Sequence, residues 1–136
     1  MNSLNIFIFV AAAVFNSLPI LVIYKVHINK IMKDPRSYSA IQRSFFIGAA
    51  MSKIIPIILL IFGIIKMSSV ESANEIIVPV AVVIAFIIIP VIYILKQRSG
   101  DYPADVKQGV RTLSTITLPH VFSVPIMALV FIFLML

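Results

Sequence analysis

The sequence predicts an all-α integral membrane protein with four transmembrane helices arranged as two hairpins. Of its 136 residues, 61% are hydrophobic and only 12% are charged, and a soluble domain cannot hide so much apolar surface. Four continuously apolar runs have the length of about twenty residues that a helix needs to cross roughly 30 Å of hydrocarbon. They lack the alternation of transmembrane β-strands, so we expect a single membrane domain without a soluble catalytic part.

The order of the spans and the charges between them predict a topology. The predicted spans cover residues 4–24, 45–65, 76–95 and 115–136. The connections at residues 25–44 and 96–114 carry most of the lysines and arginines, and the positive-inside rule places such connections in the cytoplasm. Both termini are then expected outside. The net charge of +6 is interpreted as topological charge that attracts anionic membrane lipids, not as a nucleic-acid-binding surface.

Every predicted span contains proline, and prolines inside a helix remove a backbone hydrogen bond and can bend the helix. The prolines considered as kinks are Pro19, Pro56, Pro90, Pro119 and Pro125. Two interpretations stay open: ordinary bending of membrane helices, or a set of kinks that shapes a shared cavity.

One stretch carries a family resemblance. Residues 32–58, "MKDPRSYSAIQRSFFIGAAMSKIIPII", resemble subunit c of the bacterial F-type ATP synthase, the proteolipid of the rotating membrane ring. In that family a polar cytoplasmic loop ending in proline precedes a helix with Phe-Ile-Gly-Ala-Ala, the ion-carrying carboxylate and often a proline. Here Pro35 matches the loop, residues 46–50 match the helix signature, and Pro56 matches the later proline. The resemblance implies a bacterial plasma membrane protein with this topology.

Lys53 breaks the family pattern, because it occupies the position of the ion-carrying carboxylate. A lysine is cationic when protonated and has a much higher reference pKa, so it cannot replace that carboxylate simply. No aspartate or glutamate lies within the four predicted spans. We therefore do not expect conventional rotary proton transport.

The second half of the chain also resembles a duplicated hairpin, as in the four-helix proteolipids of V-type ATPases. At an offset of 68 residues, Pro35 aligns with Pro103 and Arg43 with Arg111, and Lys53 falls within one residue of His120. Whether residues 76–136 are a true duplication stays open at this point.

Polar residues inside the spans are the candidate functional groups: Lys53, His120 and Asn16. Lys53 has three interpretations, because a lysine at membrane depth can snorkel toward the basic connection, pair with carbonyls, Asn16, Ser17 or a carboxylate of a partner, or bind an anion such as a lipid phosphate. His120 can titrate near neutral pH or form an interhelical hydrogen bond. No ligand spacing predicts a metal site, and no motif predicts a cofactor or an enzyme.

The small residues Gly48, Ala49 and Ala50 predict a surface buried against another helix, because small side chains let helix backbones approach closely. Our leading interpretation is a non-catalytic, proteolipid-like membrane protein. It forms a homo-oligomer or serves as an accessory subunit of a larger membrane complex. The alternatives are a small oligomeric transporter or channel that uses Lys53 and His120, and an envelope immunity or stress protein.

Overall fold

The fold consists of helices and turns. The computed structural model describes the backbone of residues 2–136 and the side chains from residue 5 onward, and this part of the chain contains no strand. Five α-helices are present: α1 (Asn2–Lys33), α2 (Tyr38–Ser52), α3 (Ile54–Ile65), α4 (Ile77–Arg98) and α5 (Ala104–Leu134). Short 3₁₀ helices at Pro35–Ser37 and Ala73–Ile76 precede α2 and α4. The predicted all-α class is confirmed.

Four helical segments are long and apolar enough to cross a membrane. They are Asn5–Lys33, Pro35–Ile65, Ala73–Arg98 and Ala104–Leu134, the second of which contains both α2 and α3. Mean hydropathy over their most apolar windows ranges from 2.1 to 3.0. All four segments extend beyond the predicted spans at the ends that carry the basic connections, since apolarity does not mark where a helix ends.

The connection between α1 and α2 is a tight turn set by a proline. Pro35 disfavours helical geometry in the residue before it, and Asp34 has φ −146° and ψ 80°, outside the helical region. The hydroxyl of Ser37 donates a 2.6 Å hydrogen bond to the Asp34 carboxylate. The residues that follow Asp34 are helical up to the predicted second span. They lengthen the second helical segment at its basic end.

Helix α1 is the central element, because it packs against each of the other four helices, while α5 packs mainly along α1 and α4. One end of the bundle joins the beginning of α1, the connector after α3 and the end of α5. There the Asn5 side chain donates to the Lys66 carbonyl at 2.9 Å, and the Val70 amide donates to the Met135 carbonyl at 2.8 Å. The opposite end joins Ile31, Tyr38 and the backbone at Gly109, and it carries both basic connections.

The interior is divided into two apolar clusters. The terminal cluster contains Phe9, Ala13 and Leu60 together with Val83 and Ala128. The basic-end cluster joins different parts of the same helices, and its members include Tyr24, Phe45, Ile94 and Val121. Between the two clusters along α1 lie Asn16 and Ser17, which are 1% and 0% exposed. A buried polar layer therefore crosses the middle of the bundle.

Gly63 permits the close packing of α3 on α1. A Cβ atom at Gly63 would lie 2.7 Å from the ring of Phe9, which is fully buried and stacks on Phe131 with centroids 5.6 Å apart. At Gly48, by contrast, a Cβ atom would lie at an ordinary 3.5 Å from Ile23.

We predict that Gly63→Ala lowers the free energy of unfolding by about 1–3 kcal/mol, the usual cost of overpacking a filled core. Gly48→Ala is the matched control, and it should not lower stability, because its methyl group has room and alanine is more favourable than glycine inside a helix. Denaturation in detergent, followed by far-UV circular dichroism, measures both. Equal losses at the two glycines would contradict the role assigned to Gly63.

Candidate functional site

The helix of the second span is interrupted at Lys53. Helix α2 ends at Ser52 and α3 begins at Ile54, and the Lys53 amide donates to the carbonyl of Ala50, three residues earlier, at 3.2 Å. Pro56 explains this tightened turn, because a proline has no amide hydrogen and its ring crowds the carbonyl four residues before it. The Ser52 hydroxyl donates to the Ala49 carbonyl at 2.7 Å within the same turn.

The ammonium group of Lys53 is held by groups of two other helices. It donates hydrogen bonds to Oδ1 of Asn16 on α1, to the carbonyl of His120 on α5 at 2.6 Å, and to Oγ of Ser123 on α5 at 3.0 Å. An ammonium group has three hydrogens to donate, so these contacts use all of its capacity. Of the partners considered from the sequence, Asn16 and a carbonyl contact Lys53.

The carbonyl of His120 gathers several donors. Besides Lys53, it accepts hydrogen bonds from the Asn16 amide at 3.0 Å and from the Ser123 hydroxyl at 3.2 Å. Asn16 thus accepts from Lys53 and donates to the same carbonyl that Lys53 contacts. We call Asn16, Lys53, Ser123 and the His120 carbonyl the lysine centre, and it joins α1, α5 and the interrupted second span.

Ser17 extends this polar layer to α4. Pro90 cannot donate to the carbonyl of Phe86, its partner four residues earlier in an ordinary helix. The Ser17 hydroxyl donates to that carbonyl at 2.8 Å. A hydroxyl of a neighbouring helix therefore satisfies a carbonyl that proline leaves without its helical donor.

The energetic balance favours retention of the lysine inside the bundle. A lysine at the centre of a membrane helix costs about 2.5–3.5 kcal/mol on insertion scales. A hydrogen bond to a charged group contributes about 1.5–3 kcal/mol, so three such bonds at Lys53 are of sufficient size to offset that cost. The acceptors are neutral, however, and the positive charge itself has no carboxylate beside it among the described residues.

A cleft opens between α3 and α5 next to the lysine centre. Its volume is about 470 Å³, within the range of about 300–1,000 Å³ that small-molecule sites have. Lys53, His120 and Ser123 are among its lining residues, but its accessible surface is almost entirely apolar. Its apolar wall consists of Ile57, Leu60, Ile61, Ile64, Val124 and Met127.

The imidazole of His120 borders this cleft and lies edge-on to the ring of Phe45, with centroids 6.1 Å apart. Among the described residues, its ring nitrogens have no hydrogen-bond partner, whereas its backbone carbonyl belongs to the lysine centre. His120 therefore contributes a backbone acceptor to the site, and the residue as a whole is partly exposed.

The five prolines considered as kinks differ in their local structure. Pro56 lies beside the interruption of the second span. Helices α1, α4 and α5 continue through Pro19, Pro90, Pro119 and Pro125. The carbonyl freed by Pro90 is the one that Ser17 engages, so these two positions act together.

The predicted packing surface on α2 is divided. Ala49 is fully buried, Gly48 is half-buried and borders Ile23 on α1, and Ala50 is exposed. Within one chain, the surface of small residues is therefore used on one side and left open on the other.

The polar contacts of His27 and Tyr24, two residues of α1 near the basic end, were not predicted from the sequence. His27, which falls within the predicted connection at residues 25–44, lies on α1 and is only 6% exposed. Its ring contacts the Ile23 carbonyl at 2.7 Å and the Ser44 hydroxyl at 3.1 Å. Tyr24 and Ser114 share a buried 2.6 Å hydrogen bond between α1 and α5. The only signal in the sequence was a polar residue within an apolar helix, and such a residue does not identify its hydrogen-bond partner.

In the described part of the chain, no three histidine, cysteine, aspartate or glutamate residues are grouped as metal ligands. Comparison of the chain with protein-family models, curated proteins and solved structures gives no match. The resemblance to subunit c stays an interpretation based on residues 32–58.

We predict that Lys53 and Asn16 are energetically coupled. In a double-mutant cycle with Lys53→Leu and Asn16→Leu, the coupling free energy should be about 1–2 kcal/mol, at or above the upper range for hydrogen bonds in membranes because one partner is charged. Tyr24→Phe is the control partner, since Tyr24 bonds Ser114 and not Lys53. Reversible unfolding in mixed micelles measures the cycle, and coupling below about 0.3 kcal/mol would show that the contact contributes nothing.

We also predict that the cost of losing Ser17 depends on Pro90. Ser17→Ala should lower stability by about 1–3 kcal/mol, because it leaves the Phe86 carbonyl without a donor. In a Pro90→Ala background the helix regains its own amide donor, so the same substitution should cost less than half as much. Thermal unfolding of the four variants tests this, and an unchanged cost in the two backgrounds would contradict the proposed pairing.

Proposed function

We propose that the chain is a non-catalytic, proteolipid-like membrane protein that acts through assembly, as a homo-oligomer or as an accessory subunit of a larger membrane complex. The observation that carries the proposal is the lysine centre. All three hydrogens of the Lys53 ammonium are donated within the chain. In subunit c, which residues 32–58 resemble, the matching position holds a carboxylate that must gain and lose a proton. The group at this position therefore serves helix association.

The open surface of the second span supports assembly. Helix α3 buries Pro56, Leu60 and Gly63, and most of its other side chains are exposed. The exposed large residues are Ile54, Ile55, Ile57, Ile58, Ile61, Phe62, Ile64 and Ile65. In a bilayer this surface faces lipid or another membrane helix, and the neighbouring Ala50 on α2 provides a small residue at which a second backbone can approach.

The proposed setting is a multi-pass protein of a bacterial plasma membrane. Lysines and arginines are concentrated at one end of the bundle, at the turn after α1 and around the α4–α5 connection. The positive-inside rule then assigns this end to the cytoplasm and both termini to the opposite side. Anionic lipids of the cytoplasmic leaflet are the lipid partners that this charge favours.

A second function is favoured by one specific observation, the cleft between α3 and α5. Lys53, whose positive charge has no carboxylate partner among the described residues, and His120 are both lining residues of this space of about 470 Å³, although its accessible surface is almost entirely apolar. Such an arrangement suits a small oligomeric transporter or channel that selects anions. We rank this function second because all three hydrogens of the Lys53 ammonium are already donated within the chain. An anion would have to displace Ser123 or bind without a free ammonium hydrogen.

Assembly is tested with substitutions on exposed apolar helix surfaces. We expect the purified protein to form oligomers in native mass spectrometry from mild detergent, and Ala50→Leu to shift the distribution toward monomer because the larger side chain holds helices apart. Ala81→Leu is the matched control, since Ala81 is also exposed but lies on α4. A wild-type protein that stays monomeric at all concentrations and has no membrane partner in crosslinking would contradict the proposal.

The same purified protein, reconstituted into liposomes, tests the transporter or channel function. Liposomes containing the wild-type chain should show no chloride or proton flux above empty liposomes. Anion flux that is present in wild type and lost in Lys53→Leu would favour the transporter or channel instead.

A further inference from the structure

The basic end of the bundle contains a concave pocket between the end of α4 and the first turns of α5. Its volume is about 350 Å³. The lining residues are Arg98, Gln108, Arg111, Thr112, Thr115 and Ile116. Two guanidinium groups from different helices thus border one pocket, together with three neutral polar side chains and one apolar side chain.

Arg98 is oriented by a hydrogen bond that leaves its outer nitrogens free. Its Nε donates to Oγ1 of Thr115 at 3.2 Å, and the Thr115 hydroxyl in turn donates to the Arg111 carbonyl at 2.9 Å. Within residues 5–136, the Nη groups of Arg98 and the guanidinium of Arg111 have no hydrogen-bond partner, and neither arginine forms an ion pair with a carboxylate. The pocket therefore offers positive charge and unused donors in a partly fixed geometry.

A planar guanidinium matches the oxygens of a phosphate or carboxylate through paired hydrogen bonds. Two such groups suit a phosphate better than a small monovalent anion such as chloride. The Gln108 amide donates to the Thr112 hydroxyl at 3.4 Å, and its second hydrogen is an additional donor at the pocket. The charge, the donors and the size of the pocket thus favour a phosphate group as the ligand.

The position of the pocket along the bundle indicates where that phosphate comes from. Arg98 is the last residue of α4, and Thr115 begins the predicted fourth span. Tyr38, Tyr93 and Tyr102 pack around the adjacent cluster, and tyrosines are enriched at the membrane–water interface. Ile116 provides an apolar floor on the side of the predicted hydrocarbon. A ligand with a phosphate head and an apolar tail fits this order of polar and apolar groups.

We propose that this pocket binds the headgroup phosphate of an anionic phospholipid from the leaflet at the basic end. The proposal rests on the membrane placement given under the proposed function and goes beyond it, because it assigns a specific lipid site outside the lysine centre. Basic pockets between transmembrane helices at a membrane surface are known to hold such headgroups. The basic connections thereby do more than set topology, since two of their arginines select one lipid molecule.

The experiment compares two pairs of substitutions that remove the same charge. The full chain in neutral detergent is titrated with phosphatidylglycerol, and native mass spectrometry gives the Kd of the first bound lipid. Arg98→Gln/Arg111→Gln should weaken binding by about tenfold or more, because charge-assisted hydrogen bonds are lost. Lys96→Gln/Lys107→Gln is the matched control, since both lysines are exposed on the same helices outside the pocket, and it should change the Kd by less than about threefold.

Two further arms test geometry and source. Arg98→Lys/Arg111→Lys keeps both charges but loses the planar fork, so its Kd should lie between those of wild type and the glutamine pair. Phosphatidylcholine at equal concentration should bind the wild-type chain at least about tenfold more weakly, because it has no net charge to attract the arginines. Inorganic phosphate in millimolar excess should not displace phosphatidylglycerol.

Several results would overturn the proposal. Equal losses in the arginine and lysine pairs would show that only diffuse charge attracts lipid, and displacement by inorganic phosphate would assign the pocket to a free anion. Carbonate extraction of cell membranes tests the underlying placement separately. A chain released by carbonate would refute membrane insertion and the lipid site together, whereas an inserted chain without a lipid preference would refute the site alone.

Discussion

The arrangement of the bundle depends on one cationic group at its mid-depth. The ammonium of Lys53, which is partly buried, donates three hydrogen bonds in the described structure, to Asn16, the His120 carbonyl and Ser123. Each of these contacts fixes the second span against α1 or α5. Apolar side chains alone define helix positions in lipid weakly, because hydrocarbon is as favourable a neighbour as another leucine. A cationic donor with few acceptors between the helices restricts these positions more strongly.

Two prolines create the backbone features on which this polar layer depends. Pro56 leads to the tightened turn at Lys53, and Pro90 leaves the Phe86 carbonyl to the Ser17 hydroxyl. The layer separates two apolar clusters that are each closely packed, as the Phe9 ring against Gly63 illustrates. Bending and polarity are thus not independent features of these helices. Where proline removes a donor, a neighbouring side chain or a displaced turn replaces it.

The basic end is chemically distinct from the middle of the bundle. Lys53 is satisfied within the chain, whereas Arg98 and Arg111 retain donors that face outward around an open pocket. This contrast follows the difference in burial, since both arginines are exposed and can remain hydrated, whereas Lys53 is partly buried between helices. Internal pairing is the basis of the architectural role that we propose for the lysine, and free donors are the basis of the lipid-binding role that we propose for the arginines.

The sequence by itself determined the all-α class and the existence of four long apolar helical segments, because length and hydropathy are local properties that need no knowledge of neighbours. It also singled out Lys53, Asn16 and His120, since polar residues are conspicuous in apolar runs. It did not determine the partners of these residues. The choice of Asn16 over Ser17 for Lys53, the use of the His120 carbonyl in place of its ring, and the buried Tyr24–Ser114 bond all depend on helix rotation and axial register. The tertiary structure decided these features, because a one-residue change in register turns a helix by about 100° and brings a different side chain to the same point.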